Sequence, residues 1–208
     1  MEKNKDWTGN KKSTYITLGA SNHTDKERQT EDYYATDPVA IDGLKAVFEI
    51  PQNVWECSCG QGHLSKRLKE FGHTVYSSDL VDRGYGEGNV DFLKIEKMPL
   101  ENCNCILTNP PYSKALEFIN HALDLLPDGG FCIMLLKTTF LEGKKRYLNL
   151  FSKNPPKYVF QFSSRLLCAK NGDFETMIKG GGSAVSYAWF VWEKGFKSDT
   201  VVRWINNF

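Results

Sequence analysis

Residues 54–64 limit the possible folds more than any other stretch, because a short apolar strand there leads through a glycine-containing loop into a helix. The stretch reads VWECSCGQGHL, and Leu64 and Leu68 then continue apolar residues at helical spacing. Gly60 and Gly62 let the backbone pass close to a ligand at the carboxyl end of the strand. This order of elements predicts an α/β sheet with a ligand site at its edge.

A second predicted strand, residues 73–78, ends at Asp79, 19 residues beyond Gly60. An acid at that place in an α/β unit accepts hydrogen bonds from ribose hydroxyls. A dinucleotide fingerprint would need glycine at position 65, where this chain has Ser65, and the lysine of a phosphate-binding P-loop is absent. The pattern therefore favours a cofactor that contains adenosine but no phosphate.

Further strand and helix patterns alternate along the chain. Predicted strands cover residues 89–93, 103–108, 131–136, 158–162 and 187–192, and a helix starts near Pro38 with Thr36 or Asp37 as its cap. Residues 163–186 are predicted to form a long polar loop. Within strand 89–93, Asp91 either accepts from an adenine amine or serves as a turn acid. The alternation is typical of an open, doubly wound, mostly parallel sheet.

The tetrapeptide Asn109-Pro110-Pro111-Tyr112 follows the strand at 103–108 and carries the chemistry of the second candidate site. Two prolines lack N–H groups, so the chain there cannot continue a ladder and its carbonyls are left as acceptors. If the Asn109 amide oxygen and the Pro110 carbonyl accept both N–H groups of a planar amine, its lone pair can turn toward an electrophile. Tyr112 can then stack on the ring that carries the amine. A proline-rich turn with an incidental aromatic is the alternative for the tetrapeptide by itself.

Length and composition predict an ordinary globular domain. The chain has 208 residues, of which 41% are hydrophobic and 25% charged. We expect a mobile arm over residues 1–31 and one catalytic domain over residues 32–208, without a large separate target-recognition domain. The polar start and the lack of an apolar run near ~18 residues predict no signal peptide, no membrane span and a cytoplasmic location.

Six cysteines raise the question of a metal site. Two pairs have C-x-C spacing inside apparent strands, which differs from the C-x2-C spacing common in zinc sites. We therefore expect buried free thiols and no bound metal.

Charge is distributed unevenly although the net charge is +1. Residues 1–136 carry 14 basic and 20 acidic side chains, whereas residues 137–208 carry 12 and 5. The segment 143–157 has five basic residues, no acid and two interleaved aromatics, so it is either a solvated helix face or a phosphate-binding face. Its basic residues are Lys144, Lys145, Arg146, Lys153 and Lys157.

In the order of these motifs the chain resembles the S-adenosylmethionine-dependent N6-adenine DNA methyltransferases, whose cofactor motifs precede an Asn-Pro-Pro-aromatic. The resemblance spans residues 33 to about 195. It implies a Rossmann-like class I methyltransferase fold, with an open, doubly wound, mostly parallel seven-stranded sheet and an antiparallel edge strand. It also implies S-adenosylmethionine as the cofactor and DNA, or alternatively RNA, as the partner.

The resemblance further implies roles for particular residues. The target amine is held by Asn109, Pro110, Pro111 and Tyr112. The basic residues of segment 143–157 contact nucleic acid. The cofactor is contacted by Tyr34, Thr36, Asp37, Pro38, Glu56, Cys57, Gly60, Gly62, Asp79, Leu80, Asp91, Phe92 and Asn109.

Three other functions stay open at this stage. Adenine in RNA and the glutamine amide of proteins are also planar amines, and enzymes that methylate each of them use the same tetrapeptide. A non-catalytic nucleic-acid-binding protein could also be built on this fold.

Overall fold

The computed structural model describes residues 33–170, 172, 174–179 and 185–206. The predicted arm, residues 1–31, lies outside the described residues. Nine strands are described: β1 Tyr34–Thr36, β2 Asn53–Glu56, β3 Thr74–Ser77, β4 Cys105–Thr108, β5 Phe131–Lys137, β6 Tyr158–Phe162, β7 Cys168–Lys170, β8 Tyr187–Glu193 and β9 Val201–Ile205. The helices described are α1 Val39–Val47, α2 His63–Glu70, α3 Ala115–Leu125, α4 Lys144–Arg146 and α5 Phe174–Lys179.

Seven of these strands form one sheet in the order β3, β2, β4, β5, β8, β6, β9. The pairs β2/β3, β2/β4, β4/β5 and β6/β9 are parallel. β8 runs antiparallel to both β5 and β6. The predicted α/β fold with a mostly parallel seven-stranded sheet is therefore confirmed. The antiparallel strand is β8. It was expected at the edge of the sheet, but it is third from the β9 edge, because β6 and β9 lie beyond it.

Helices cover both faces of the sheet, as the apolar strand runs require. Successive residues of β4 point to opposite faces, so Leu107 packs with Leu44 of α1 and Leu64 of α2, while Ile106 packs with Ile119 of α3. The central strand β5 divides in the same way between the two core clusters. Both faces of the central strands are thus covered by apolar side chains. Polar groups that contact a ligand therefore have to lie at the strand ends.

Two local predictions were wrong, and one strand was missed. Residues 89–93 are not a strand, because Asp91 caps a short 3-10 helix, Phe92–Lys94, and its Oδ1 accepts from the Leu93 amide at 3.2 Å. The segment 163–186 contains β7 and α5 rather than loop alone. The strand β9 was not predicted, since four of its five residues are exposed and lack an apolar alternation.

A second, two-stranded sheet joins the beginning of the domain to the 163–186 segment. β1 pairs antiparallel with β7, which places Thr36 opposite Cys168. The Asp37 amide continues this contact by donating to the Leu167 carbonyl at 3.0 Å. Neither contact could be read from sequence spacing, because the partners are more than 100 residues apart.

Candidate functional site

The glycine loop and the Asn-Pro-Pro-Tyr corner lie at the same edge of the sheet. Each follows the carboxyl end of its strand, and those strands, β2 and β4, are parallel neighbours. A direct contact links them, because the Thr108 Oγ1 donates to the Ser58 carbonyl at 3.5 Å. A ligand held by the glycine loop can therefore extend to the corner.

Asn109 has one end of its amide anchored and the other end free. Its Nδ2 donates to the Thr36 Oγ1 at 2.9 Å. Its Oδ1 is buried and has no hydrogen-bond partner among the described residues. A buried acceptor without a donor is costly, so it indicates a place where a ligand N–H is bound.

Tyr112 lies in a group of aromatic side chains. Its hydroxyl donates to the Tyr187 hydroxyl at 2.9 Å, and its ring centroid lies 5.9 Å from that of Tyr34. The Lys137 ammonium lies 4.6 Å from the centre of the Tyr112 ring. Burial and the neighbouring Cys168 and Tyr187 raise the pKa of Tyr112, so its phenol stays neutral. A base that stacks on the face of the Tyr112 ring covered by Lys137 has to displace the Lys137 side chain.

Pro110 and Pro111, which lie between Asn109 and Tyr112, turn the chain from β4 toward α3. Pro110 is buried, and the Pro111 carbonyl accepts from the Lys114 amide at 2.9 Å. The corner therefore leads into a short 3-10 turn, Tyr112–Lys114, before α3 begins. Asn109 and Tyr112 therefore stand at the two ends of a rigid bend, with their side chains within hydrogen-bond reach of each other.

The glycine loop has its backbone amides committed within the protein. Gly60 N donates to Asp79 Oδ2 at 2.8 Å, Gln61 N to the Tyr33 hydroxyl at 3.2 Å, and Gly62 N to the Cys59 carbonyl at 2.8 Å. These amides are therefore not available to bind a pyrophosphate. The loop fits the predicted cofactor class, a nucleoside without phosphates.

Close contacts explain the glycines at these positions. Gly60 and Gly62 have φ of +53° and +77°. A Cβ at Gly60 would lie 2.2 Å from the Tyr33 ring, and one at Gly62 would lie 2.2 Å from the Tyr85 ring. The two aromatic side chains therefore pack directly on the loop backbone.

Asp79 organises the loop from the end of β3. Its Oδ2 accepts from Gly60, and its Oδ1 accepts from the Val81 amide at 3.0 Å. A carboxylate has about four acceptor positions, so it can still accept from ribose hydroxyls. Leu80, beside it, is 61% exposed and can contact a ring that lies over the loop.

Glu56 and Cys57 point into the protein interior. Glu56 is 2% exposed and accepts from the Ser65 hydroxyl, which lies 2.6 Å from the Ser77 hydroxyl. Burial raises the pKa of Glu56 to about 8. The Cys57 thiol is buried in the α3-side core. Both residues lie beside the loop, yet their side chains pack inward.

Residues 34–38 lie close to the corner. Asp37 Oδ1 accepts from the Val39 amide at 3.0 Å just before α1, whereas the Thr36 hydroxyl accepts from Asn109. The N-cap of α1 is Pro38 rather than Thr36 or Asp37. Pro38 is the residue that precedes the first turn of α1. Tyr34 contacts the Tyr112 ring.

Asp91 and Phe92, the two residues predicted to contact the adenine of the cofactor, already have partners within the protein. Asp91 caps its 3-10 helix and forms an ion pair of 3.1 Å with Lys94. Phe92 is 2% exposed, and its ring packs against Trp55, Phe118 and His121 at centroid distances of 5.1, 4.8 and 5.0 Å. The Phe92 ring is part of the hydrophobic core. Its contact with an adenine stays a prediction.

The basic segment 143–157 follows β5, whose last residue, Lys137, contacts Tyr112. Lys144, Lys145 and Lys153 are exposed. Arg146 instead donates to the Glu142 carbonyl and packs over the Phe140 ring, and Lys157 pairs with Glu193. Three of the five predicted basic residues are therefore free to meet phosphates.

The six cysteines are free and buried. Among the described residues, no group of three His, Cys, Asp or Glu side chains could hold a metal ion. No helix in the described part of the chain is long and apolar enough to cross a membrane.

Sequence reasoning missed several residues around the corner. Tyr33 packs on Gly60, while Tyr187 and Cys168 surround Tyr112 and Thr36. Tyr33 could have been suspected from its place beside Tyr34. Tyr187 and Cys168 carried no signal, because their roles depend on the pairing of β1 with β7 and of β5 with β8.

Comparison with solved structures decides the fold. A candidate class I S-adenosylmethionine-dependent methyltransferase from Listeria monocytogenes superposes with a TM-score of 0.56 at 13% identity, covering 94% of this chain and 71% of that one. The chain has the class I methyltransferase fold. No family model matches the sequence, and no curated protein does.

Other proteins with this fold carry different descriptions. A modification subunit of a candidate type I restriction enzyme from Vibrio vulnificus has a TM-score of 0.55 at 11% identity, covering 86% of this chain and 48% of that one. A candidate hemolysin from Lactococcus lactis has a TM-score of 0.57 at 12% identity, covering 80% and 91%. At these identities the likeness concerns the fold, so function has to be argued from the site.

Proposed function

We propose that this protein is a methyltransferase that uses S-adenosylmethionine to methylate the exocyclic N6 amine of adenine in DNA. The main support is the Asn109 Oδ1, a buried acceptor without a partner among the described residues, at the carboxyl end of β4. The glycine loop and Asp79 lie at the same edge, on the neighbouring parallel strands.

The residues around the loop fit an adenosine-containing sulfonium compound. Asp79 would accept from the ribose hydroxyls, and Gly60 and Gly62 would lie along the amino-acid part. When bound, S-adenosylmethionine would supply an electrophilic methyl group. The committed loop amides disfavour a phosphorylated nucleotide in the same place.

The corner would activate the amine by positioning it. Asn109 Oδ1 accepts one amine N–H and the Pro110 carbonyl accepts the other, which frees the nitrogen lone pair from the ring. Tyr112, a neutral phenol, would stack on the adenine. Once the nitrogen carries the methyl group its proton becomes acidic and is lost to solvent, so the corner needs no strong base. Positioning then accounts for most of the acceleration.

Two observations favour nucleic acid as the substrate. Lys144, Lys145 and Lys153 are exposed on the segment that follows β5, the strand whose last residue, Lys137, contacts the Tyr112 ring. Tyr147 and Leu148, 61% and 52% exposed, lie on the same segment and could contact bases or sugars. The fold shared with a restriction modification subunit is compatible with DNA.

The test is methyl transfer from radiolabelled S-adenosylmethionine to DNA, RNA and protein in parallel, followed by mass spectrometry of the digested product. We expect label in DNA as N6-methyladenine. Asn109→Ala should lower turnover by at least ~100-fold while the cofactor Kd stays within about twofold. Label only in protein glutamine or only in RNA would contradict the DNA assignment, and full activity of Asn109→Ala would contradict the mechanism.

A further inference from the structure

The orientation of the Asn109 amide depends on the groups around its Nδ2, which are the Thr36 hydroxyl and, within hydrogen-bond reach, the Tyr112 hydroxyl. An asparagine amide can be turned by 180°, which exchanges its donor and acceptor ends. Here the Nδ2 end donates to the Thr36 Oγ1 at 2.9 Å, and the Oδ1 end stays unpaired. In the reversed orientation the NH₂ group would face the target amine, donor against donor.

Thr36 is itself held in place. It is 3% exposed and lies in β1 directly opposite Cys168 of β7. Its hydroxyl also lies within hydrogen-bond reach of the Cys168 thiol. If the hydroxyl proton points to the sulfur, the oxygen lone pairs are left to accept from Asn109.

We infer that Thr36 is a positioning residue, which accepts from the Asn109 Nδ2 and so directs the Oδ1 toward the amine of the substrate. The inference rests on the proposed amino-methyltransferase function, and it assigns Thr36 to the substrate side rather than to the methionine part of the cofactor. The pairing of β1 with β7 then fixes the position of the Thr36 hydroxyl beside the Asn109 amide.

The test compares Thr36→Val, which keeps the shape but has no acceptor, with Thr36→Ser, which keeps the hydroxyl. We expect kcat to fall roughly 100-fold in Thr36→Val, with the cofactor Kd and the substrate KM within about threefold of the wild-type values. Thr36→Ser should recover most of the lost kcat. If Thr36→Val does not fold, as judged by circular dichroism, Thr36→Ala against Thr36→Ser makes the same comparison.

A second readout needs no activity. In a ¹H–¹⁵N spectrum, the side-chain NH₂ signals of Asn109 are identified by their loss in Asn109→Ala. These signals should shift in Thr36→Val and remain near the wild-type position in Thr36→Ser.

The outcomes separate this inference from the proposed function. An unchanged kcat, unchanged NH₂ signals, or a weakened cofactor Kd with kcat retained at saturation would each overturn the role of Thr36. If the wild-type protein transfers no methyl group while the NH₂ signals behave as expected, the anchoring of Asn109 stands and the proposed reaction fails.

Discussion

At the scale of single residues, Glu56 is a carboxyl group whose protonation is coupled to folding. Its pKa is about 8 in the folded protein because it is buried, against an ordinary value of 4.5. The neutral acid can accept from Ser65, whereas a charge in that place would lack solvation. The Glu56 carboxyl therefore links the stability of the glycine loop to pH.

The stabilisation from protonated Glu56 is complete below the unfolded pKa and is lost as pH rises through about 8. We predict that the free energy of unfolding falls, on the order of a few kcal/mol, between about pH 5 and about pH 9. Glu56→Gln should flatten this dependence, measured by urea denaturation at a series of pH values. The exposed Glu96→Gln is the matched control, and equal slopes in the two variants would contradict the prediction.

Gly62 and Gly72 offer a second comparison between single residues. Both have positive φ, +77° and +87°, but a Cβ at Gly62 meets the Tyr85 ring whereas one at Gly72 meets nothing within 4 Å. Gly72→Ala should cost about 1–2 kcal/mol through backbone strain alone. Gly62→Ala should cost more and should weaken cofactor binding, because the Tyr85 ring must move and the loop with it.

Urea denaturation and a cofactor titration measure both effects. Equal losses in the free energy of unfolding for Gly62→Ala and Gly72→Ala would show that the Tyr85 ring moves aside without a measurable cost. A cofactor Kd that is unchanged in Gly62→Ala would place the cofactor away from this loop.

At the scale of elements, α4 and the turns around it form a basic surface on the segment that follows β5. Arg146 belongs to the internal support of this segment, since it donates to the Thr139 carbonyl at 3.3 Å and packs on Phe140. Lys157 is likewise paired with Glu193. Only the lysines that project into solvent can test phosphate binding without disturbing the segment.

We predict that Lys144→Ala/Lys145→Ala weakens DNA binding and reduces the slope of log K against log salt by up to about 2, because two phosphate contacts are lost. Binding is measured by fluorescence anisotropy at several salt concentrations. Lys45→Ala/Lys97→Ala removes the same charge from exposed positions elsewhere. A slope that changes equally in both double variants would assign the effect to net charge rather than to this surface.

At the scale of the whole molecule, all six thiols are buried, five of them in the two core layers of the sheet and the sixth, Cys59, in the glycine loop. Burial raises the pKa of Cys59 and Cys168 to about 12, which suppresses the reactive thiolate. Reaction of any thiol therefore requires the domain to open.

We predict that an aromatic disulfide reagent modifies the native protein slowly, and that six thiols react at once in denaturant. The rate in native buffer should rise with urea in parallel with unfolding. Modification of one thiol at the rate of free cysteine in native buffer would show that its site opens independently of the domain.

Local patterns were enough to predict most of the sheet and the place of both loops on it. A buried strand is a continuous apolar run, as in 131–136, and a helix repeats its apolar residues every three to four positions, as Leu64 and Leu68 do. These signals depend on neighbours in the chain. The Asn-Pro-Pro-Tyr corner and the Gly60 loop could be placed at one edge because parallel strands share the direction of their carboxyl ends.

Only the tertiary structure decided which side chains complete the site. Thr36 reaches Asn109 across 73 positions, and Tyr112 reaches Tyr187 across 75. Asp91 and Phe92 were predicted to lie in a strand. Instead, Asp91 accepts from the Leu93 amide and caps a 3-10 helix, and the buried Phe92 ring packs in the core. Such contacts are set by strand pairing and packing between distant segments, and the free energy of those contacts is not written in any local stretch of sequence.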